Sequence, residues 1–209
     1  MPHVIERTVY KFSELSERAK NKARDDARYC NVDHSDWWDC TYEDAIEVAA
    51  LMGIDIGRHG KGPAIFFSGF CSQGDGASFT GWYNYKEDSV TNVRAHAGQD
   101  EELIAIAEGL VVMQTTARLV HGGRLYARIE TSGHYSHSGT MNADVTYVDT
   151  EGEAPNCSDE VCDDLLALFR RFADWIYRQL EAEHDYLTSD EHIDERLNEE
   201  EFDEDGSII

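Results

Sequence analysis

The stretch IFFSGFCSQGDGASFTGWY, residues 65–83, decides the fold class of this chain. Two aromatic runs, Ile65–Phe70 and Ala77–Tyr83, flank the turn-rich segment Ser72–Gly76. Aromatic runs on either side of a Gly-Asp-Gly turn are typical of a β-hairpin. Because hairpins pair neighbouring strands in opposite directions, this stretch predicts an antiparallel sheet rather than β-α-β crossovers.

A second hairpin is predicted further along the chain, from Leu125–Thr131 and Met141–Val148. Helical periodicity surrounds both hairpins and predicts helices over residues 13–29, 37–52 and 100–121. The sequence therefore predicts an α+β fold, with helices packed on one face of an antiparallel sheet built from hairpins.

The strongest helical pattern begins after Ser158, a suitable N-cap residue. A broad apolar stripe follows at helical spacing. Its members are Val161, Leu165, Leu168, Phe169, Phe172, Trp175, Ile176 and Leu180. We expect a long, buried C-terminal helix, and a homodimer along this helix is the alternative if the stripe faces outward.

Composition changes after this helix, since residues 181–209 contain 13 acids and one base, Arg196. Few apolar groups in residues 198–209 are available to offset the entropy lost on ordering. We therefore expect a single α+β domain over residues 1–187 and an acidic, partly disordered C-terminal segment over residues 188–209.

The charge balance narrows the class of function. With 18 Lys and Arg against 42 Asp and Glu, the net charge is −24. This disfavours binding to nucleic acid or to an anionic membrane through a basic surface. The longest apolar stretch, Leu103–Met113, is too short to span a bilayer. No secretory signal pattern is visible and the five cysteines form no disulfide framework, so we expect a cytoplasmic protein.

Three segments are candidate catalytic or metal sites, and each lacks residues that the chemistry requires. The glycines around Ser72–Gly76 lack the Gly-Lys-Ser/Thr ending and the following helix of a phosphate loop. His134 and His137 share one hairpin loop, but Cys157 and Cys162 have only a loose zinc-ligand spacing. Cys71 stands beside the hairpin turn, but no group that would activate it as a nucleophile lies near it in the sequence. We expect a binding protein with no catalytic residue, cofactor or metal.

Four segments carry a resemblance to a known group of proteins. They are Tyr10–Ser16, Asp36–Asp39 with Tyr42–Ala45, the hairpin Phe67–Phe79 and Leu180–Glu191. These segments resemble small acidic accessory proteins encoded by phages and prophages, most of them uncharacterised and some labelled antitoxins. The resemblance covers roughly residues 10–202 and implies a viral protein that works in a bacterial cytoplasm. It carries over no catalytic residue.

These observations together favour an inhibitor of a bacterial antiviral defence, similar in action to an anti-CRISPR protein. Because B-DNA carries about one charge per 1.7 Å of axis, a dense acidic surface can compete for the basic channel of a nucleic-acid-binding target. The carboxylates predicted to imitate phosphates are Asp36, Asp39, Glu43, Glu199, Glu200, Glu201, Asp203, Glu204 and Asp205. Two alternatives stay open: an antitoxin that covers a toxin's active site, and a metal-dependent enzyme that uses the His134/His137 loop.

Overall fold

The computed structural model describes residues 6–148 and 157–209, apart from the side chains of Val120 and His121. The chain forms two compact units. The larger unit contains residues 39–180, and the smaller unit combines the N-terminal segment up to Trp38 with residues 181–209. The predicted boundary at residues 187 and 188 therefore differs from the observed division, because the two ends of the chain pack together.

Runs of strands and pairs of helices follow one another along the chain, as expected for an α+β fold. The helices are α1 Glu17–Ala27, α2 Asp39–Met52, α3 Ser89–His96, α4 Glu101–His121, α5 Asp159–Leu187 and α6 Asp190–Leu197. The strands are β1 Tyr10–Lys11, β2 Ile54–Ile56, β3 Arg58–His59, β4 Gly62–Pro63, β5 Ile65–Ser68, β6 Gly76–Phe79, β7 Gly81–Asn84, β8 Arg124–Thr131, β9 Met141–Val148 and β10 Glu201–Phe202.

A four-stranded antiparallel sheet forms the centre of the larger unit, in the order β2-β7-β8-β9. The predicted hairpin of β8 and β9 is confirmed, with pairing from Arg124 with Val148 to Thr131 with Met141. Burial alternates along β8, as the two-residue period of a strand requires. One face of the sheet is therefore buried, and the other is exposed.

Helices cover the buried face, which confirms the predicted fold class. Tyr83 on β7 packs against Phe169 on α5, with ring centroids 5.5 Å apart. Phe172, also on α5, meets Phe79 edge to face at 5.6 Å. The apolar stripe of α5 is buried from Leu165 to Leu180, with Val161 half-buried, so it is not the exposed patch that the homodimer alternative required.

The aromatic stretch that decides the fold class forms two strand pairs rather than one. β5 pairs with β6 in a two-stranded sheet. The chain then turns at Thr80, whose backbone bonds to Gly57 and Ala64, and β7 enters the four-stranded sheet beside β2. The predicted strand Ala77–Tyr83 is thus divided at Thr80 into two short strands, which pair in different sheets.

The smaller unit has its own core. Phe12, Leu15 and the alanines of α1 pack against Ile193, Leu197 and Phe202 from the C-terminal segment. β1 pairs with β10, placing Tyr10 opposite Phe202. α1 begins after Ser16, whose hydroxyl oxygen accepts a hydrogen bond from the Ala19 amide. The predicted start of this helix at Ser13 is wrong, because Phe12–Glu14 forms a separate 3-10 turn and α1 begins at Glu17.

The C-terminal segment 188–209 differs from the expected partly disordered tail. It forms α6, which Ser189 caps, and β10. Gly206 has a φ of +87°, and a Cβ there would lie 2.2 Å from the Ala19 carbonyl oxygen. The segment therefore lies directly against α1, where the burial of three apolar side chains offsets the entropy lost on ordering.

Candidate functional site

The six predicted carboxylates of the C-terminal segment lie in the smaller unit, and half of them have basic partners. Asp203 pairs with Arg7, Glu201 with Lys11 at 3.3 Å, and Asp205 with Lys22 at 2.8 Å. These contacts join positions that are more than 180 residues apart in the chain. A carboxylate that pairs within the chain is less available to imitate a phosphate.

The remaining three, Glu199, Glu200 and Glu204, form no ion pair with any residue that the structure describes. Glu199 and Glu204 are exposed, and Glu200 is half-buried. These three are therefore the carboxylates of the segment that could still meet a basic partner.

Ion pairs also lower the pKa of two carboxyl groups in this unit. Hydrogen bonds from Lys22 and Ser207 lower the pKa of Asp205 to about 2. A hydrogen bond from Arg28 lowers the pKa of Asp190. Arg24 holds Asp194 through two 2.6 Å hydrogen bonds, the paired geometry that suits a guanidinium group and a carboxylate. Basic residues of α1 therefore contact α6 and the residues that follow β10.

The other three predicted carboxylates are divided between the two units: Asp36 belongs to the smaller unit, and Asp39 and Glu43 belong to the larger unit. Asp36 belongs to the smaller unit and lies in a turn; α2 begins at Asp39, so the predicted helix start at Trp37 is wrong. Trp37 packs against the Trp38 and His184 rings instead. Asp39 and Glu43 lie one helical turn apart on the exposed side of α2, in the larger unit. Neither forms an ion pair with a described residue.

The acidic excess is shared by both units. Residues 39–180 contain 22 acids and 10 bases, a net charge of −12, and the rest of the chain contains 20 acids and 8 bases, also −12. The tail is therefore not the only source of an acidic field, although the sequence concentrates its acids there.

The His134/His137 loop supports a turn rather than a metal centre. His137 Nδ1 accepts a hydrogen bond from the Gly139 amide, at 3.1 Å. In the described part of the chain, no group of three or more His, Cys, Asp or Glu side chains could hold a metal ion. Burial raises the pKa of the Cys157 and Cys162 thiols, which disfavours the thiolate form that binds zinc.

The exposed face of the four-stranded sheet is a feature that sequence reasoning missed. Trp82 on β7 is 44% exposed, and Tyr126 on β8 is 37% exposed. Arg124 and Arg128 lie on the same side of β8 as Tyr126, because side chains two residues apart share a face. The signal was present in the alternation Arg-Leu-Tyr-Ala-Arg-Ile-Glu, in which every second residue is polar or aromatic.

The comparisons with known proteins place the chain in a family. The chain belongs to the family described as a domain of unknown function (DUF8835), whose model matches residues 37–190. No curated protein and no solved structure matches the chain. Within the described residues, every helix is too short or too polar to cross a membrane.

Proposed function

We propose that the protein is a phage-encoded binding protein that inhibits a bacterial antiviral defence by occupying a basic, nucleic-acid-binding surface of its target. The proposal rests on one observation: the chain has many more carboxylates than basic side chains with which they could form ion pairs. With 42 acids and 18 bases, most carboxylates have no base to neutralise them. The phage context and the bacterial cytoplasm rest on the resemblance in residues 10–202.

Exposure and ion pairing support some of the predicted carboxylates as contacts with the target and not others. Asp39 and Glu43 on α2 are supported because they are exposed and unpaired among the described residues. Glu199 and Glu204 are supported for the same reason, and Glu200 is supported because it is unpaired and still half-exposed. Glu201, Asp203 and Asp205 are not supported, because each already forms an ion pair with a base near the N-terminus.

The charge also favours a protein target over a nucleic acid. A field of this sign accelerates encounter with a basic groove and repels polyanions. An exposed carboxylate adds little to affinity by itself, so we expect many weak contacts rather than one dominant residue.

The test is phage plating on bacteria that carry a defined defence system and express the protein. We expect the wild-type protein to restore plating on at least one such strain. A variant with Asp39→Asn and Glu43→Gln, and a second with Glu199→Gln, Glu200→Gln and Glu204→Gln, should restore it less well. These amides keep the shape of the side chain and remove its charge.

The matched control replaces two exposed carboxylates elsewhere in the larger unit, with Asp163→Asn and Asp164→Asn on α5. This variant removes the same charge as the α2 variant and should inhibit like the wild type. Equal inhibition by all variants would contradict the proposed surface. Failure of the wild type against every defence system, at a confirmed level of folded protein, would contradict the proposed function.

A further inference from the structure

A cavity opens beside the turn between α4 and β8, on the exposed side of the four-stranded sheet. Its volume is about 520 Å³, within the range of about 300–1,000 Å³ typical of small-molecule sites. Its polar and aromatic lining comes from Arg118 on α4, Arg124 and Tyr126 on β8, and Asn84 on β7. All of these residues belong to the larger unit.

The cavity is basic in a strongly acidic protein. Among the described residues that line it there are two arginines and no carboxylate. Neither Arg118 nor Arg124 forms an ion pair with a described residue. The guanidinium group of Arg118 lies 5.9 Å from the centre of the Tyr85 ring, which orients this side chain without neutralising it.

A second cavity on the same sheet face differs from the first, because the charge of its arginine is neutralised by a carboxylate. It is lined by Trp82, Arg128 and Glu130, among others. Arg128 forms a 2.7 Å ion pair with Glu130 and lies opposite Asp144 on the neighbouring strand. Of the arginines that line these two cavities, Arg118 and Arg124 are therefore the ones whose charge no described carboxylate neutralises.

A buried amide holds the two arginines in place. The Gln114 side chain donates to the Gly123 carbonyl at 3.2 Å and accepts from the Leu125 amide at 2.9 Å. Gly122 ends α4 with a φ of +69°, which reverses the chain toward β8. The turn that carries Arg124 is thus fixed against the helix that carries Arg118, so the cavity exists before any ligand binds.

We propose that this cavity binds a mononucleotide, an inference that goes beyond the proposed function and uses other residues. The two guanidinium groups suit a phosphate group of about two negative charges. The half-exposed Tyr126 ring offers a surface on which a base can stack, and Asn84 supplies an amide donor and acceptor. A small ligand suits the site better than a polymer, because the chain's net charge repels a polyanion.

The test is calorimetric titration of the full-length protein with the four ribonucleoside 5′-monophosphates, the matching nucleosides and inorganic phosphate. We expect saturable binding of at least one monophosphate, with one site per chain. Its affinity should exceed that of inorganic phosphate and of the nucleoside by about tenfold or more, because each contacts only part of the site.

Two variants locate the site. Arg124→Gln should weaken binding by about tenfold or more, since a charged hydrogen bond to phosphate is lost. Arg128→Gln is the matched control: it lies on the same strand and face but in the neutralised cavity, and should bind like the wild type. The melting temperature of both variants checks that they are folded.

Three results would overturn the proposal. The first is failure of all four monophosphates to bind. The second is equal affinity for inorganic phosphate and for the monophosphates, which would indicate a simple anion site. The third is that a single-stranded oligonucleotide binds more tightly than any monophosphate and that Arg128→Gln and Arg124→Gln weaken its binding equally. This would indicate that the site binds a nucleic-acid strand lying along β8.

Discussion

Gln114 shows at the scale of one residue how a buried polar group organises this fold. Its side chain is 1% exposed, and both ends of its amide are hydrogen-bonded to the turn between α4 and β8. An unpaired backbone group in such a place costs free energy, so the side chain stands in for a missing backbone partner. This one amide thus satisfies two backbone groups of the turn, beside the hydrogen bond from the Gly122 amide to the Arg118 carbonyl.

We predict that Gln114→Met destabilises the protein by about 1–3 kcal/mol, because the Gly123 carbonyl and the Leu125 amide lose their partner while buried. Urea denaturation followed by circular dichroism measures the change. Gln99→Met, at an exposed position, is the control and should change stability little. A Gln114→Met variant as stable as the wild type would show that water or a shifted backbone replaces the amide.

The sequence predicts the roles of some single residues but not the partners of others. It identified Asp100 as the start of a helix, and the structure confirms that Asp100 caps α4 by accepting from the Leu103 amide. It did not identify the partners of Asp203 or Asp205, because capping is local whereas these ion pairs join opposite ends of the chain. A pattern along the sequence reports neighbours within a few residues and not long-range pairs.

At the scale of elements, the C-terminal segment is part of a folded unit. Its apolar residues Ile193, Leu197 and Phe202 were visible in the sequence as a weak helical face, but the many acids around them indicated a solvated tail. The basic residues of α1 were the missing signal. Their excess near one end of the chain complements the acids at the other end.

We predict that Phe202→Ala destabilises the smaller unit by about 3–5 kcal/mol, since the ring is fully buried and packs 5.9 Å from the Phe12 ring. Thermal unfolding and proteolysis of the N-terminal segment measure the loss. Ile208→Ala, at a half-exposed position in the same segment, is the control and should cost much less. If both variants melt like the wild type, the segment does not hold this unit together.

The acid side of the stability profile should depend on the same segment. Ion pairing lowers the pKa of Asp190 and of Asp205 below the unfolded value of about 3.9. Their contribution to stability is therefore fully present above about pH 4 and is lost as the pH falls toward about 2. We predict that the urea midpoint of the smaller unit falls across this range.

The control for this prediction is the double variant Asp190→Asn and Asp205→Asn, which has no such carboxylates to protonate. It should lose less stability than the wild type over the same pH range. An identical fall in both proteins would assign the acid sensitivity to other groups.

The prediction of a long, largely buried C-terminal helix is confirmed by α5. Its spacing of large apolar residues needs no distant partner to be recognised, and Phe172, Trp175 and Ile176 are all buried. The hairpin of β8 and β9 was predictable for the same reason, since its pairing is local. The order β2-β7-β8-β9 was not predictable, because it joins strands from separate parts of the chain.

We predict that Phe172→Ala destabilises the larger unit by about 3–5 kcal/mol, because the ring contacts both Phe79 and Trp175 in the core. Chemical denaturation measures the change. Val112→Ala, at an exposed position on α4, is the control and should have little effect. A small effect of Phe172→Ala would mean that the core collapses around the missing ring.

At the scale of the whole molecule, the charge of −24 is the property that most constrains function. Its equal division between the two units means that the acidic field does not depend on the tail alone. Five basic residues of the N-terminal segment pair with the C-terminal segment, which leaves acids such as Glu199 and Glu204 uncompensated. These uncompensated carboxylates are the ones that would contact a partner with a basic groove.

The most direct test of the proposed electrostatic contact begins by capturing the target with the tagged protein from the strain whose plating it restores, and then measures how the affinity of the two depends on salt. Dissociation constants would be measured at about 0.05 M and about 0.3 M salt, for the wild type and for the variant with Asp39→Asn and Glu43→Gln. Wild-type affinity should fall steeply with salt, and the variant should bind more weakly with a shallower fall, because screening acts on the charges that the variant lacks. Equal affinities that do not change with salt would contradict it.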